Sequence, residues 1–340
     1  MILYHVSKLI KHAQLFFVLR KGVFLMENEE NRQNNEFGLT GHSNSRLSSQ
    51  HLGNLNKNIT VSFDRITIVG AFIPEREKWV KKHLETNIQI NLRDTGFDRF
   101  ICHALNNKVY VEYDKKKAQA MGRSEIRVEF NPNELSEEEK QFIQFIFLDN
   151  MRNKDFSRID LAFDVPADLQ AYFIMSDKGV KKTIFYGRDD KPETKYFGVR
   201  DSERYIRIYN KKKQLRDVKE EEIEHDHLWR IEFELKRSMT NKWDKCFDDL
   251  HILQPDYLSI ENFEERAKIY YLINEQSAWG EISKNTKTKY RKKMKELSDV
   301  NMSDDLREVL NEQHQKLSEE LKNYIAMSHH DKLYDFDFDH

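Results

Sequence analysis

Three short segments of this 340-residue chain alternate apolar and polar residues, and their polar members are all chemically useful. They are Arg158-Ile-Asp-Leu-Ala-Phe-Asp164, Tyr205-Ile-Arg-Ile-Tyr-Asn-Lys211 and Trp229-Arg-Ile-Glu-Phe-Glu-Leu-Lys236. In a strand, successive side chains point to opposite faces. The first segment then carries Arg158, Asp160 and Asp164 on one face. The second groups Tyr205, Arg207, Tyr209 and Lys211, and the third groups Arg230, Glu232, Glu234 and Lys236. A sheet built from them has an apolar face for helices and a second face of carboxylates, tyrosines and cations. That inventory suits a metal-assisted tyrosine nucleophile acting on a phosphodiester.

Such chemistry needs a nucleophile in line with the leaving oxygen and cations to meet phosphoryl charge. A tyrosine ionises near pH ~10 and needs a metal or a positive neighbour to act. Tyr209 lies two residues from both Arg207 and Lys211, so either cation can favour the phenolate or bind the phosphate. Tyr205 has the same parity and competes as nucleophile. Asp160 and Glu232 offer hard oxygens suited to Mg2+ or Mn2+, with Asp164, Glu234 and Glu129 as a second tier. The bland alternative is a solvated antiparallel face, which also carries Lys, Glu and Arg. His225-Asp-His227 has an acidic middle residue, and His227 falls on the apolar parity of its segment, so these histidines read as structural.

The spacing predicts an α+β protein. A central, mainly antiparallel β-sheet has helices on one face and is followed by a helical C-terminal region. Strands are expected over 59–63, 66–69, 108–113 and 126–130, then at 183–186 and 194–197 and in the three segments above. Pro74 opens one helix, and Ser136 with Glu139 forms a capping box for another. From Met239 onward strand signals vanish. Leu306, Leu310, Leu317, Leu321 and Tyr324 recur at helical steps, for packing on the body or on a second copy.

The expected organisation is a flexible N-terminal extension over 1–57, a catalytic domain over 58–250, a helical region over 251–328 and a loose tail over 329–340. Residues 1–25 are basic and apolar, too short in their apolar run to span a membrane, and Met26 is the expected natural start. The chain is 34% charged with net charge −2 and a mean hydropathy of −0.80. It is therefore not a polycation, and nucleic-acid contact requires a local basic patch. Lys284, Lys287, Lys289, Tyr290, Arg291, Lys292, Lys293 and Lys295 supply one, with Arg291 as the expected base reader. Cys102 and Cys246 have no metal-site spacing and read as reduced thiols of a cytoplasmic protein.

At these residues the chain resembles the Rep_trans family, the replication initiators of small Gram-positive rolling-circle plasmids. The resemblance rests on His42–Ser48, Arg127–Asn133, Asp160–Asp164, Lys181–Arg188, Pro192–Ser202, Ile206-Arg-Ile-Tyr-Asn-Lys-Lys212, His227–Arg237 and Cys246–Leu253. It implies a divergent relaxase-like nuclease fold, with Tyr209 as nucleophile. The tyrosine nicks one strand at the plasmid's double-strand origin, becomes linked to the 5′-phosphate, and leaves a 3′-hydroxyl primer. Strand transfer later closes the circle. The resemblance also implies a homodimer, a host superfamily-1 DNA helicase as partner, and origin choice in the stretch around Tyr290–Leu297. The family's relatives with a His-hydrophobic-His metal pair find no counterpart here, so Asp160 and Glu232 rest on strand parity alone. A conjugative relaxase, a non-catalytic DNA-binding regulator and a water-using metal nuclease are the competing readings.

Overall fold

The computed structural model describes residues 58–326 apart from 97, 171, 189, 220–224 and 276. The expectations for 1–57, for the motif at His42–Ser48 and for the tail beyond 326 lie outside the described residues. The described residues belong to one compact unit.

Alternation of β-branched and aromatic residues with polar ones builds ten strands into one antiparallel sheet. They are β1 (Thr60–Phe72), β2 (Ile90–Gly96), β3 (Arg99–Ala104), β4 (Val109–Asp114), β5 (Ile126–Phe130), β6 (Met151–Val165), β8 (Lys182–Tyr186), β9 (Pro192–Phe197), β10 (Arg204–Asn210) and β11 (Trp229–Lys236). A separate pair consists of β7 (Phe173–Ser176) and β12 (Leu250–Leu253). The strand order of the large sheet is β2-β3-β4-β5-β1-β6-β11-β10-β9-β8. The three chemically loaded segments therefore become neighbours at its centre, as β6, β11 and β10.

The helices are α1 (Glu77–Thr86), α2 (Lys115–Met121), α3 (Glu137–Ile146), α4 (Lys211–Gln214), α5 (Phe263–Asn274), α6 (Ala278–Glu281), α7 (Lys284–Glu296) and α8 (Met302–Ile325). Ser136 and Glu139 form the expected reciprocal capping box at the start of α3. Pro74 first opens a 3-10 turn, and α1 follows it. The apolar face of the sheet, with Ile66, Ile159, Leu161, Phe163, Phe233 and Ile208, shares one buried cluster with α1, α3 and α8. On α8, Leu306, Leu310, Leu317, Leu321 and Tyr324 all join that cluster, and Tyr324 meets Phe130 edge-on at 5.1 Å. The last helix thus packs on the body of its own chain.

Three expectations need correction. Strand structure does not end at Met239, because Leu250–Leu253 pairs with Phe173–Ser176. The pairing is only four residues long and β7 is buried at every position, so it has no alternation to read. Strands β2 and β3 were not foreseen either, since β2 mixes Asn, Arg and Asp into its run. Finally β10 stops at Asn210, whose side chain accepts from the Lys213 backbone N–H at 2.9 Å and caps α4. Lys211 is therefore helical and leaves the strand face it was assigned to.

A second buried cluster joins β7 and β12 to α5, α6 and α7, through Phe173, Leu253, Ile269, Tyr290 and Met294. No helix among the described residues is long and apolar enough to cross a membrane. Both cysteines are buried, and burial pushes the Cys102 thiol up to about 12.

Leu310 is fully buried at the contact between α8 and the sheet. Leu310→Ala removes that packing and leaves a cavity, and it is expected to lower the unfolding free energy by ~2–5 kcal/mol. Urea unfolding should show a lower midpoint at unchanged slope. An unchanged midpoint would mean that α8 does not help hold the core.

Candidate active site

Antiparallel register sets the site. Across β6, β11 and β10, Asp164 faces Arg230, which faces Tyr209. One step along, Ala162 faces Glu232, which faces Arg207, and then Asp160 faces Glu234, which faces Tyr205. Acids and bases thus alternate in a lattice on the polar face.

The lattice is closed by arginines. Arg158 donates from Nε and Nη2 to the two oxygens of Asp160, both at 2.6 Å, and from Nη2 to Glu234 at 2.8 Å. Arg230 donates to the two oxygens of Asp164 at 2.6 Å and to Asp64 at 2.9 Å. Arg207 stands between Asp160 Oδ2, at 3.4 Å, and Glu232 Oε1, which it hydrogen-bonds. Asp160 is 1% exposed and Glu232 and Glu234 are each 3% exposed, so these are buried charges.

Burial, only partly offset by Arg158 and Arg207, raises the Asp160 carboxyl above its ordinary value. Burial likewise pushes Glu232 up to about 7, with the charges of Asp160 and Asp64 adding to the effect and Arg207 and Arg230 opposing it. The Tyr209 hydroxyl is raised above the usual phenol range, chiefly by burial and then by Glu232, against the pull of Arg230 and Arg207.

Tyr209 and Arg207 line the same cavity of about 340 Å³, with Thr194, Tyr196, Asn210 and Lys213. Tyr205 is not part of that wall. It lies half-buried and stacks on Tyr196 with ring centroids 5.5 Å apart and planes at 10°. Geometry therefore separates two tyrosines that parity could not. Lys213, held against Glu193, takes the wall position expected for Lys211. Capping by Asn210 hid this from strand parity.

Sequence reasoning also missed Asp64. A register shift between Phe63 and Arg65 breaks the β1–β6 ladder at this residue, and a bulge of that kind re-aims side chains. Of the second-tier carboxylates, Asp164 and Glu234 belong to the lattice. Glu129 sits away from Tyr209, on β5, where it accepts from Arg65 and Thr67 at 3.1 Å and pairs with Arg127. Against burial, Arg127 and Arg65 hold its carboxyl below the ordinary range. His227 is exposed and precedes β11, so it is not on the apolar face of a strand.

The basic segment forms α7, but not as a cylinder of free cations. Tyr290 and Met294 are buried in the second core, so Tyr290 anchors the helix to the body and does not stand with the exposed cations. Their four-residue spacing inside a lysine-rich run makes an apolar stripe. Lys293 pairs with Glu265 at 3.2 Å and Lys295 with Asp177 at 2.9 Å. Lys284, Lys289 and Lys292 are exposed, whereas Lys287 and Arg291 are half-buried toward the body.

The chain is an α+β protein built on one antiparallel sheet, in which a buried lattice of carboxylates and arginines lies beside a cavity lined by Tyr209 and Arg207. Residues 65–151 match the family described as "Replication initiation protein, N-terminal" (RepD-like N). A replication initiation protein from Staphylococcus aureus is 45% identical over 292 residues, covering 86% of this chain and 93% of its own length. Another from the same organism is 44% identical over 292 residues, covering 86% and 92%. The chain belongs to the replication initiation protein family. A solved structure titled "Structure of Rolling Circle Replication Initiator Protein from Geobacillus stearothermophilus" aligns at 14% identity with a TM-score of 0.38. That alignment covers 60% of this chain and 90% of the other.

The raised Glu232 carboxyl has a definite effect on stability. The folded state keeps a proton that the unfolded chain has already lost, from the ordinary value of 4.5 up to about 7. In that window the folded state binds more protons, so this group's contribution to stability falls as pH rises. Glu232→Gln cannot lose that proton. The stability of the variant relative to the parent is therefore expected to improve between about pH 5 and about pH 8, read by urea unfolding at both. A pH-independent difference would contradict a raised Glu232.

Proposed function

We propose that this chain starts rolling-circle replication of a plasmid by nicking one strand of the double-strand origin with Tyr209. Family membership supports the biological role. The observation that carries the chemistry is that Tyr209, alone of the two candidate tyrosines, lines a cavity with Arg207. In this reading the Tyr209 oxygen attacks the scissile phosphorus and the 3′-oxygen leaves as a 3′-hydroxyl. The product is a 5′-phosphotyrosine, and the energy of the phosphodiester is kept for rejoining by strand transfer. The freed 3′-hydroxyl is the primer that a circular template copied from one nick requires. Arg207 and Lys213 line the wall and meet the charge on the phosphoryl oxygens.

A divalent ion belongs to the same proposal. Among the described residues no three His, Cys, Asp or Glu side chains gather as a metal cage. Mg2+ is nonetheless commonly held by one or two carboxylates plus substrate phosphate and water. Asp160 and Glu232 fit that description, since an oxygen of each already converges on one cation, the Arg207 guanidinium. Mg2+ or Mn2+ held there would add positive charge near Tyr209 and the phosphoryl oxygens. Arg207 and the ion then compete for the same oxygens. Homodimer formation, origin recognition through α7 and recruitment of a superfamily-1 helicase complete the proposal as expectations from the family resemblance.

Tyr209→Phe removes one hydroxyl and is expected to abolish the covalent protein–DNA adduct while origin binding stays within about twofold. Tyr205→Phe should retain the adduct. Incubation with supercoiled plasmid carrying the cognate origin, followed by denaturing gels with and without protease, reads both. An adduct surviving in Tyr209→Phe moves the nucleophile elsewhere, and no adduct from the parent protein leaves an origin binder without nicking activity.

The metal competition is tested separately from activity. Arg207→Ala should tighten Mn2+ binding in the absence of DNA, and Asp160→Ala should remove it, both measured by titration calorimetry. Equal Mn2+ affinity in parent and Asp160→Ala would take the ion away from that carboxylate pair.

A further inference from the structure

Away from Tyr209, a second cavity of about 230 Å³ lies between the large sheet and the basic helix. Lys182 of β8 reaches it from one side and Lys287 and Arg291 of α7 from the other, while Phe173 and Trp279 form aromatic wall. Among the described residues no Asp or Glu is part of the lining. Among the described residues neither Lys287 nor Arg291 pairs with a carboxylate, in contrast to Lys293 and Lys295 of the same helix. The Arg291 guanidinium lies 5.9 Å from the Trp279 ring centre, and Trp279 and Phe173 stack at 5.9 Å with planes at 22°. The Trp279 indole is fixed by its N–H, which donates to the Leu272 carbonyl at 2.7 Å.

Lys182 is set firmly. Its ammonium donates to the Ile174 carbonyl at 3.3 Å and stands 5.4 Å from the Phe197 ring centre. Burial, then the charges of Arg291 and Lys195, lowers it to about 8. Like charges that converge on one partly desolvated space repel each other, and an anion entering there relieves the repulsion.

We propose that this cavity is a binding site for a backbone phosphate of origin DNA, with the adjoining nucleoside against Trp279. The site joins a residue of the catalytic sheet to two residues of the basic helix, so DNA held there is held by both cores at once. It rests on the reading of α7 as a DNA-contacting helix, and it changes the part played by Arg291. That side chain faces the cavity as a phosphate clamp with Lys182, and outward-facing Lys289 and Lys292 are left for the duplex surface.

Lys182→Gln and Arg291→Gln test the cavity, and Lys292→Gln tests the outer face, each in the full chain with melting curves as a check on folding. Binding to an origin duplex is measured at several salt concentrations. One lost phosphate contact lowers the slope of log affinity against log salt by about one. The proposal expects that loss in both Lys182→Gln and Arg291→Gln, equally for cognate and unrelated duplex. Should Lys182→Gln fold poorly, Arg291→Gln carries the test, since it sits on a helix surface. Unchanged slopes in the two cavity variants, with a loss in Lys292→Gln, overturn the cavity and keep the helix as a DNA contact. Unchanged slopes in all three overturn both. If inorganic phosphate raises the melting temperature of the parent but not of the cavity variants, while duplex slopes stay equal, the site takes a free anion and the DNA assignment fails.

Discussion

The structure depends on neutralising carboxylates that the sheet buries. Asp160, Glu232 and Glu234 sit on central strands, each nearly inaccessible to water. An isolated buried carboxylate is strongly unfavourable, and removing one partner of a buried pair typically destabilises by about 3–5 kcal/mol. The arginines answer this in pairs across strands, Arg158 to Asp160 and Glu234, Arg207 to Asp160 and Glu232, Arg230 to Asp164 and Asp64. The register of β6, β11 and β10 is therefore tied to charge as well as to the apolar face. A slip of one residue would turn Ile231 and Phe233 outward and strand the acids in the core.

Much of this was legible because strand periodicity is two and the sheet uses one face for each purpose. Parity alone grouped Arg158, Asp160 and Asp164, then Tyr205, Arg207 and Tyr209, then Arg230, Glu232 and Glu234, and these groups are neighbours in space. What was hidden depends on departures from regular strand. Asn210 ends β10 by capping α4, which removes Lys211 from the face and brings Lys213 to the cavity. A bulge after Phe63 presents Asp64. The order of strands brings β6 beside β11 although 63 residues separate Val165 from Trp229 along the chain, counted between their numbers. Nothing local to either segment encodes that adjacency. The sequence groups Tyr290 with the basic patch, because nothing local shows that the helix needs an apolar anchor at that position.

The same contrast explains α7. A helix of this composition, with one acidic residue at its C-terminal end, has little to bury except Tyr290 and Met294. Those two side chains fix its rotation against β7, β12 and α5. Once the rotation is fixed, four positions are decided together: Lys293 and Lys295 meet acids of the body, and Lys287 and Arg291 do not. Charge that is paired contributes little to DNA affinity, whereas charge that faces an open cavity or solvent can release counterions on binding. The helix therefore divides its cations into structural and available ones, a division that a count of lysines conceals.

The charges around Tyr209 are already engaged with one another. Arg230 is the cation opposite it in register, but that guanidinium is already shared between Asp164 and Asp64. Arg207 is likewise held between Asp160 and Glu232. Their pull on the phenol is outweighed by burial and by the charges of Glu232 and Asp64, which keep its proton on. Under the proposed chemistry the resting protein carries an inert tyrosine, and activation must arrive with new positive charge or with loss of negative charge from the lattice. Glu232, poised near 7, is the member whose charge is most easily changed at neutral pH. Neutralising it, whether by a proton or by a cation taken up with the phosphate, removes the largest unfavourable charge that Tyr209 experiences. Lattice and Tyr209 are thus one electrostatic unit, in which the pairings that allow the sheet to fold also keep the tyrosine protonated, and under the proposed chemistry substrate is what disturbs them.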